Sequence, residues 1–296
     1  MGTGFRSTVS RLGVVAMTAA ALAAAALGAP GAAAQVGTAQ AGSHASAAVP
    51  ADTSGTTEQG SEPGDWSYTG ARGPSHWGEL GYPICAAGRQ QSPIDLRVSA
   101  RAVRRERLPK LRVDYGRLDA EVVHTGRGIE ARPAHGARPQ GIVLGGIRYT
   151  FLQFHPHAPS EHEFDGLHYP AEIHFVHRAK DGRLAVVGVP VRGGDATNRA
   201  WQPFVEAVRA ASRTSTTRVP TTLHLEDLLP GDRRSYRYRG SLTTPPCTQG
   251  VAWTVLAAPV TLSRAQLSVL TEAYNGTNRP VQPLHGRVVL TDVRVG

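Results

Sequence analysis

The chain runs to 296 residues and carries 32 Lys and Arg against 23 Asp and Glu, a formal net charge of +9. The basic surplus is almost all arginine, dispersed among acids with no basic run interleaved with aromatics, so it reads as solvated surface charge and argues against a nucleic-acid partner. Residues 65–296 suffice for one domain with a sizeable core, and there is no internal repeat to suggest a modular array.

In chain order, residues 1–34 open with Arg6 and Arg11, pass through "LGVVAMTAAALAAAALGA" and finish in "GAAAQ". A basic start, an apolar core and a small-residue cleavage pattern make a signal peptide. The core is short and Ala-rich with no basic stop after it, unlike a transmembrane anchor. No cysteine precedes Cys85, so a lipid anchor is not expected either, and the chain is expected to be exported, secreted or kept in the cell envelope. Residues 35–64 are dominated by Ala, Gly, Ser, Thr and Gln and lack any aromatic residue. Such a segment buries too little apolar area to offset its ordering entropy, which predicts a disordered linker.

Strand signals dominate the remainder. "LPKLRVDYG", "GIVLGGIRYTFLQF", "AEIHFVHR", "GRLAVVGVPVRG", "GVAWTVLAAPVTL" and "GRVVLTDVRV" are short, rich in strand formers and separated by Gly, Pro or Asp turns. Two helices are expected. "AWQPFVEAVRAAS" follows Asn198 as its cap and sets Phe204, Val205 and Val208 on one face; "RAQLSVLTEAY" follows Ser263, carries Leu267, Leu270 and Tyr274 on one stripe, and stops at Asn275-Gly276. Parallel strands need a crossover helix after each, and two helices are too few, so the fold class is mostly β (α+β) with a large, largely antiparallel sheet.

The stretch "FLQFHPHAPSEHEFDGLHYPAEIHFVH", Phe151 to His177, holds six of the twelve histidines. Strand side chains alternate faces, so His155 and His157 point the same way, and Pro156 and Pro159 rule out a helix. On "AEIHFVH", Glu172, His174 and Val176 share one face, and Ile173, Phe175 and His177 the other. Two imidazoles from one strand and a third from its neighbour form an open metal site. Cys85 and Cys247, far apart in an exported chain, suggest one disulfide, because oxidising compartments let such bonds persist. Farther on, "YRGSLTTPPCTQG" sets the hydroxyls of Thr243 and Thr244 before two prolines in a stiff turn.

Together these motifs resemble those of the α-class carbonic anhydrases, exported bacterial members included. The resemblance is carried by "WSYTG" and "GPSHW" (Trp66 to Trp77), "QSPIDL" (Gln91 to Leu96), "QFHPHAPSEH" (Gln153 to His162), "AEIHFVH" (Ala171 to His177), "GSLTTPPC" (Gly240 to Cys247) and "NRPVQPL" (Asn278 to Leu284), and it spans nearly all of residues 65–295. It implies a twisted, largely antiparallel central sheet of about ten strands with a few peripheral helices. It also implies zinc-dependent, reversible hydration of carbon dioxide to bicarbonate and a proton.

Position by position, the resemblance makes His155, His157 and His174 the zinc ligands, three neutral imidazoles that leave a fourth position open. Gln153 and Glu172 would hold outer imidazole nitrogens and fix the tautomers. Thr243 would orient the reacting oxygen and pass its own proton to Glu161, and Thr244 would contact bicarbonate. Val176, Val186, Leu242, Val251 and Trp253 would form the carbon dioxide pocket, while His162, His168 and His177 are left as structural. Bacterial members place a disulfide between the segments of Cys85 and Cys247, and a loop of about 160 residues is worth at most roughly 5 kcal/mol of chain entropy.

Two rival functions remain at this point. A cupin would read "HPHAPSE" as ligands including Glu161, but it leaves "GSLTTPPC", "QSPIDL" and "NRPVQPL" unexplained. A carbonic-anhydrase-like binding module would have lost a ligand histidine, and here all three stand. Two departures from the family pattern follow. Pro156 replaces an aromatic residue between the first two ligands, which predicts an edge, a bulge or local unpairing there. At the position of the proton-relaying histidine, "VVHTGRGIEA" puts Arg127 in place, and arginine cannot relay; a register shifted by three would put His124 there instead.

Overall fold

The computed structural model describes residues 64–96, 101–102, 107–211 and 218–293. The expected signal peptide, and the expected linker apart from Gly64, lie outside these residues. Among the described residues no helix is long and apolar enough to cross a membrane.

Thirteen of the fifteen described strands form one sheet. Its continuous path runs Arg101–Ala102, Leu290–Thr291, Ser235–Ser241, Gln249–Leu256, Leu184–Gly194, Ala171–Ala179, Ile147–His157, Ile129–Pro133, Arg117–His124 and Arg218–His224. Three strands lie off that path: Val260–Ser263 beside Leu184–Gly194, and Leu111–Asp114 beside Gly141–Leu144, which pairs with Ile147–His157. The sheet is largely antiparallel, as expected. Parallel contacts are confined to Arg101–Ala102 on Leu290–Thr291 and to Leu184–Gly194 on Gln249–Leu256 and Val260–Ser263.

Alternation along the central strands divides the interior in two. Ile173 and Phe175 face a large cluster with Phe154, Trp201 and Phe204, while Val176 faces a smaller one with Val186, Val251 and Trp253. On Ile147–His157 the alternation is interrupted. The register slips between Phe151 and Gln153, so Tyr149, Phe151 and Phe154 all reach the large cluster. An extra residue in a strand re-aims the side chains beyond it, and here it takes Phe151 out of phase with Gln153, His155 and His157. Pro156 itself sits within the strand opposite Ile173. On the other side, Ile129–Pro133 pairs with this strand only at Ala131 opposite Phe154, so no ladder bond on that side is asked of the proline. Of the three outcomes expected for Pro156, local unpairing is the one found.

The Ser263 helix forms as expected, over Arg264–Tyr274. The Ser263 side chain accepts from the Gln266 N–H and the Gln266 side chain accepts from the Ser263 N–H, a reciprocal cap. The other helix differs at its start. It spans Gln202–Ala210 after Trp201, with no side-chain cap. Asn198 accepts instead from the Ala200 N–H and donates to the Thr261 carbonyl, which docks the preceding turn on a neighbouring strand. A third helix, the five-residue Pro83–Ala87, was not expected from sequence; it carries Cys85, which is bonded to Cys247 at a Cα separation of 5.1 Å.

Candidate metal centre

His155 lies directly opposite His174 in the antiparallel ladder, and strand alternation returns His157 to the same face. The ring centroids stand 4.8 Å (His155–His157), 5.5 Å (His155–His174) and 4.7 Å (His157–His174) apart, and one nitrogen from each ring lies within 4.8 Å of the other two. His157 and His174 are each 2% exposed, and His155 is half-buried.

Every ring has one nitrogen taken by a protein oxygen. His155 Nδ1 donates to Gln153 Oε1 at 2.8 Å, His157 Nδ1 to the Thr277 carbonyl at 2.5 Å, and His174 Nε2 to Glu172 Oε1 at 3.0 Å. These partners set the tautomers and leave His155 Nε2, His157 Nε2 and His174 Nδ1 as lone-pair donors facing one another. His157 Nε2 is buried with no hydrogen-bond partner among the described residues. Burial holds all three rings neutral: it lowers His155 well below the ordinary 6.5, His157 to about 4, and His174 as well. Three converging neutral imidazole nitrogens, one of them orphaned in the interior, are a donor set that fits a borderline-soft divalent cation such as zinc.

Behind the rings, Glu172 is fully buried; its Oε1 also accepts from His162 Nδ1 at 2.7 Å, and its Oε2 from the His162 N–H at 2.8 Å. His162 Nε2 continues to the Tyr238 hydroxyl at 2.7 Å, and that hydroxyl to Ser92 Oγ at 2.8 Å. Burial would raise the Glu172 carboxyl, but the His162 and His174 rings outweigh it and hold the group well below its usual range. Glu161 is also fully buried, with the opposite result: burial pushes it up to about 7 against the pull of His174, the Arg279 N–H and a Thr243 hydroxyl hydrogen bond. Its Oε1 accepts from the Arg279 N–H at 2.8 Å, and its Oε2 lies 3.6 Å from His157 Nε2 and 3.7 Å from His174 Nδ1.

A cleft of about 250 Å³ opens over the rings, lined by Gln153, His155, His157, Thr244, Tyr68 and Arg127 among others. Arg127 occupies the turn between Arg117–His124 and Ile129–Pro133, where Gly126 takes a φ of 84°. His124 lines an adjoining cavity, which Arg127 also lines, and does not line the cleft. Val176, Val186, Val251 and Trp253 pack in one cluster with half-buried Leu242 against it. None of these five lines the cleft, and Trp253 touches the His174 ring at 4.9 Å between centroids. Of the histidines left as structural, His168 bonds the Ser160 carbonyl and His177 bonds Tyr115 and the Ala185 carbonyl.

Two contributors were not foreseen. The Thr277 carbonyl holds His157, but a backbone acceptor leaves no side-chain signature. Arg279 is 1% exposed, and its guanidinium donates to Gln91 Oε1 and the carbonyls of Ser92 and Cys85. It lies within the "NRPVQPL" motif, yet nothing in the residue string says that this arginine turns inward.

The family model of eukaryotic-type carbonic anhydrase matches residues 72–293. The carbonic anhydrase of Pectobacterium carotovorum is 36% identical over 231 residues, covering 76% of this chain and 90% of its own length. Among solved structures, the α-carbonic anhydrase of Thermovibrio ammonificans, in complex with the inhibitor sulfanilamide, aligns with a TM-score of 0.70 at 40% identity, over 77% of this chain and 99% of its own. The Photobacterium profundum α-carbonic anhydrase aligns with a TM-score of 0.69 at 38% identity, over 76% and 100%.

Proposed function

The chain belongs to the eukaryotic-type (alpha) carbonic anhydrase family, and from that premise we propose that it hydrates carbon dioxide reversibly with one zinc ion held by His155 Nε2, His157 Nε2 and His174 Nδ1. The observation that carries the reading is the convergence of those three nitrogens, each on a ring whose other nitrogen is taken by a protein oxygen. A zinc ion held there would supply Lewis acidity and bring the ionisation of water down to near neutral pH.

The surrounding residues supply orientation. Glu161, fixed by the Arg279 N–H, accepts the Thr243 hydroxyl hydrogen. Thr243 Oγ1 is then left as an acceptor and aligns the attacking oxygen toward carbon dioxide. Thr244, on the cleft wall, receives bicarbonate, and the apolar cluster of Val176, Val186, Leu242, Val251 and Trp253, which reaches His174 through Trp253, offers carbon dioxide an apolar surface beside the rings. Gln153 and Glu172 hold the ligand rings in place. The disulfide accords with an oxidising compartment, the destination that the N-terminal sequence pattern leads us to expect.

A cupin reading would make Glu161 a ligand, and both the family match and the Arg279 contact to that carboxylate speak against it. A binding module keeps the fold without the reaction. Stopped-flow hydration of carbon dioxide separates these: a rate well above background that sulfanilamide abolishes supports the enzyme, and a background rate with zinc bound would leave only the module.

A further inference from the structure

The rim of the cleft carries a charged cluster that has no part in the steps above. Asp65 Oδ1 accepts from Arg127 Nη2 at 2.5 Å, and Asp65 Oδ2 accepts from Arg72 Nη1 at 3.0 Å. One carboxylate thus serves two guanidinium groups and leaves one positive charge in surplus. Arg127 is further held in place: its guanidinium lies 4.6 Å from the centroid of the Trp66 ring, and its Nε donates to the Trp66 carbonyl at 3.4 Å. Trp66 packs edge-on against Tyr68 and Trp77 at 5.6 and 5.3 Å, and Trp77 clusters with the Cys85–Cys247 bond. The side chain is nonetheless 45% exposed, and its Nη1 has no hydrogen-bond partner among the described residues. A cation restrained by stacking and an ion pair loses little freedom when a ligand arrives.

The other charged groups facing this rim do not cancel the surplus. Glu130 lines the cleft but is ion-paired with Arg132. His124 accepts the Gly126 N–H on Nδ1 and lies in the adjoining cavity. Tyr68 is half-buried, and desolvation raises its phenol well above the ordinary 10.0. Each hydration, CO₂ + H₂O giving HCO₃⁻ and H⁺, leaves a proton to be carried off, and the permanently protonated guanidinium at the mouth cannot carry it.

Building on the hydration reading, we propose that Arg127 is a docking site for an oxyanion proton acceptor, so that a diffusible dianion of the phosphate class, rather than a side chain, takes the proton out of the cleft. The balance is simple: HPO₄²⁻ forms one O–H bond with that proton and departs as H₂PO₄⁻. Its charge falls by one on protonation, so the guanidinium attracts the arriving form more than the leaving one.

The test uses the zinc-loaded full chain and its Arg127→Gln variant at neutral pH, constant ionic strength and minimal background buffer. Stopped-flow rates are measured against added inorganic phosphate and, separately, imidazole, and the phosphorus NMR line of inorganic phosphate is followed with each protein in the absence of carbon dioxide. The half-saturating phosphate concentration should rise roughly fivefold in the variant, the scale of an exposed pair between a unit cation and a dianion. That for imidazole should not rise, and phosphorus line broadening should be smaller with the variant. Equal phosphate dependence and equal broadening in the two proteins would overturn the proposal, as would a parallel loss for imidazole. Absence of hydration in every buffer would overturn the enzymatic reading instead, and the phosphorus line would still decide the docking.

Discussion

His157 concentrates the physics of the site in one ring. Its Nδ1 donates to the Thr277 carbonyl, and its Nε2 is buried with no hydrogen-bond partner among the described residues. A buried polar atom left unsatisfied costs about 1–3 kcal/mol, a penalty that a bound cation removes. Thr243 and Glu161 stand one step back from the ligands and should separate metal binding from rate. Thr243→Ala should keep its zinc and lose roughly a hundredfold in turnover, and Glu161→Gln should behave alike; zinc loss in the Glu161 variant, read by metal analysis, would contradict its assignment. The clustering of His155, His157 and His174 was legible because H-x-H on a strand fixes a face and a neighbouring strand can bring a third ring to it. Thr277 and the inward turn of Arg279 were not, since one acts through its backbone and the other through burial that only the assembled sheet creates. Arg127 and His124 remained two registers of one loop in the sequence, and only Arg127 lines the cleft. Arg127→His should therefore raise hydration in weak buffer, while His124→Ala should cost little. A strong loss in the His124 variant, restored by added imidazole buffer, would give the relay to His124.

At the scale of elements, local chemistry was read best where one residue type governs a boundary. Ser263 caps the Arg264–Tyr274 helix reciprocally with Gln266, and Ser263→Ala should lower stability by about 1 kcal/mol. Gln266→Ala should lower it further, because Gln266 Oε1 also accepts from the Asn198 N–H and Gln266 Nε2 donates to the Asn198 carbonyl. Urea denaturation with an unchanged slope is the check, and a Gln266 variant no worse than the Ser263 variant would deny the shared contact. Asn198 itself misled as a cap because its side chain is engaged across the fold with Thr261 rather than along the helix. Of the strands that escaped the sequence reading, Ser235–Ser241 and Ile129–Pro133 among them, two did so for reasons of charge and edge. Arg117–His124 buries Leu118, Ala120 and Val122 between the more accessible Asp119 and Glu121, a short alternation diluted by acids. Arg218–His224 contains Pro220 and pairs only with Arg117–His124 at the end of the sheet path, the position where a strand tolerates proline. The register slip between Phe151 and Gln153 was not legible; a bulge was one of the outcomes expected at Pro156, and the slip falls five to three residues earlier, where it turns Phe151 away from the face of Gln153, His155 and His157.

Across the molecule, buried polar groups tie the site to distant chain. Arg279 bridges the Cys85 carbonyl, the Gln91–Ser92 segment and, through its N–H, Glu161, so the disulfide region and the cleft share one framework. The buried His177 connects the interior to pH. Its Nδ1 donates to the Ala185 carbonyl and its Nε2 accepts from Tyr115, and burial lowers it from 6.5 to about 3. Between those values the unfolded chain takes up a proton that the folded chain refuses, so stability falls as pH drops through that window and is unaffected by this group above it. The urea midpoint should decline on acidification from pH 6.5, and His177→Gln, weaker at neutral pH, should decline less; an unchanged acid slope in the variant would assign the effect elsewhere. The overall class was readable from many strands with two helices, because that ratio forces antiparallel pairing. The central claim, that the three-histidine site holds a zinc ion used for carbon dioxide hydration, meets its most direct test in stopped-flow hydration by the same protein as prepared, after zinc removal by a chelator, and after one equivalent of zinc is returned. The account predicts a fast rate that disappears with the metal and returns with it; a rate indifferent to zinc, or no rate with one zinc bound, would contradict it.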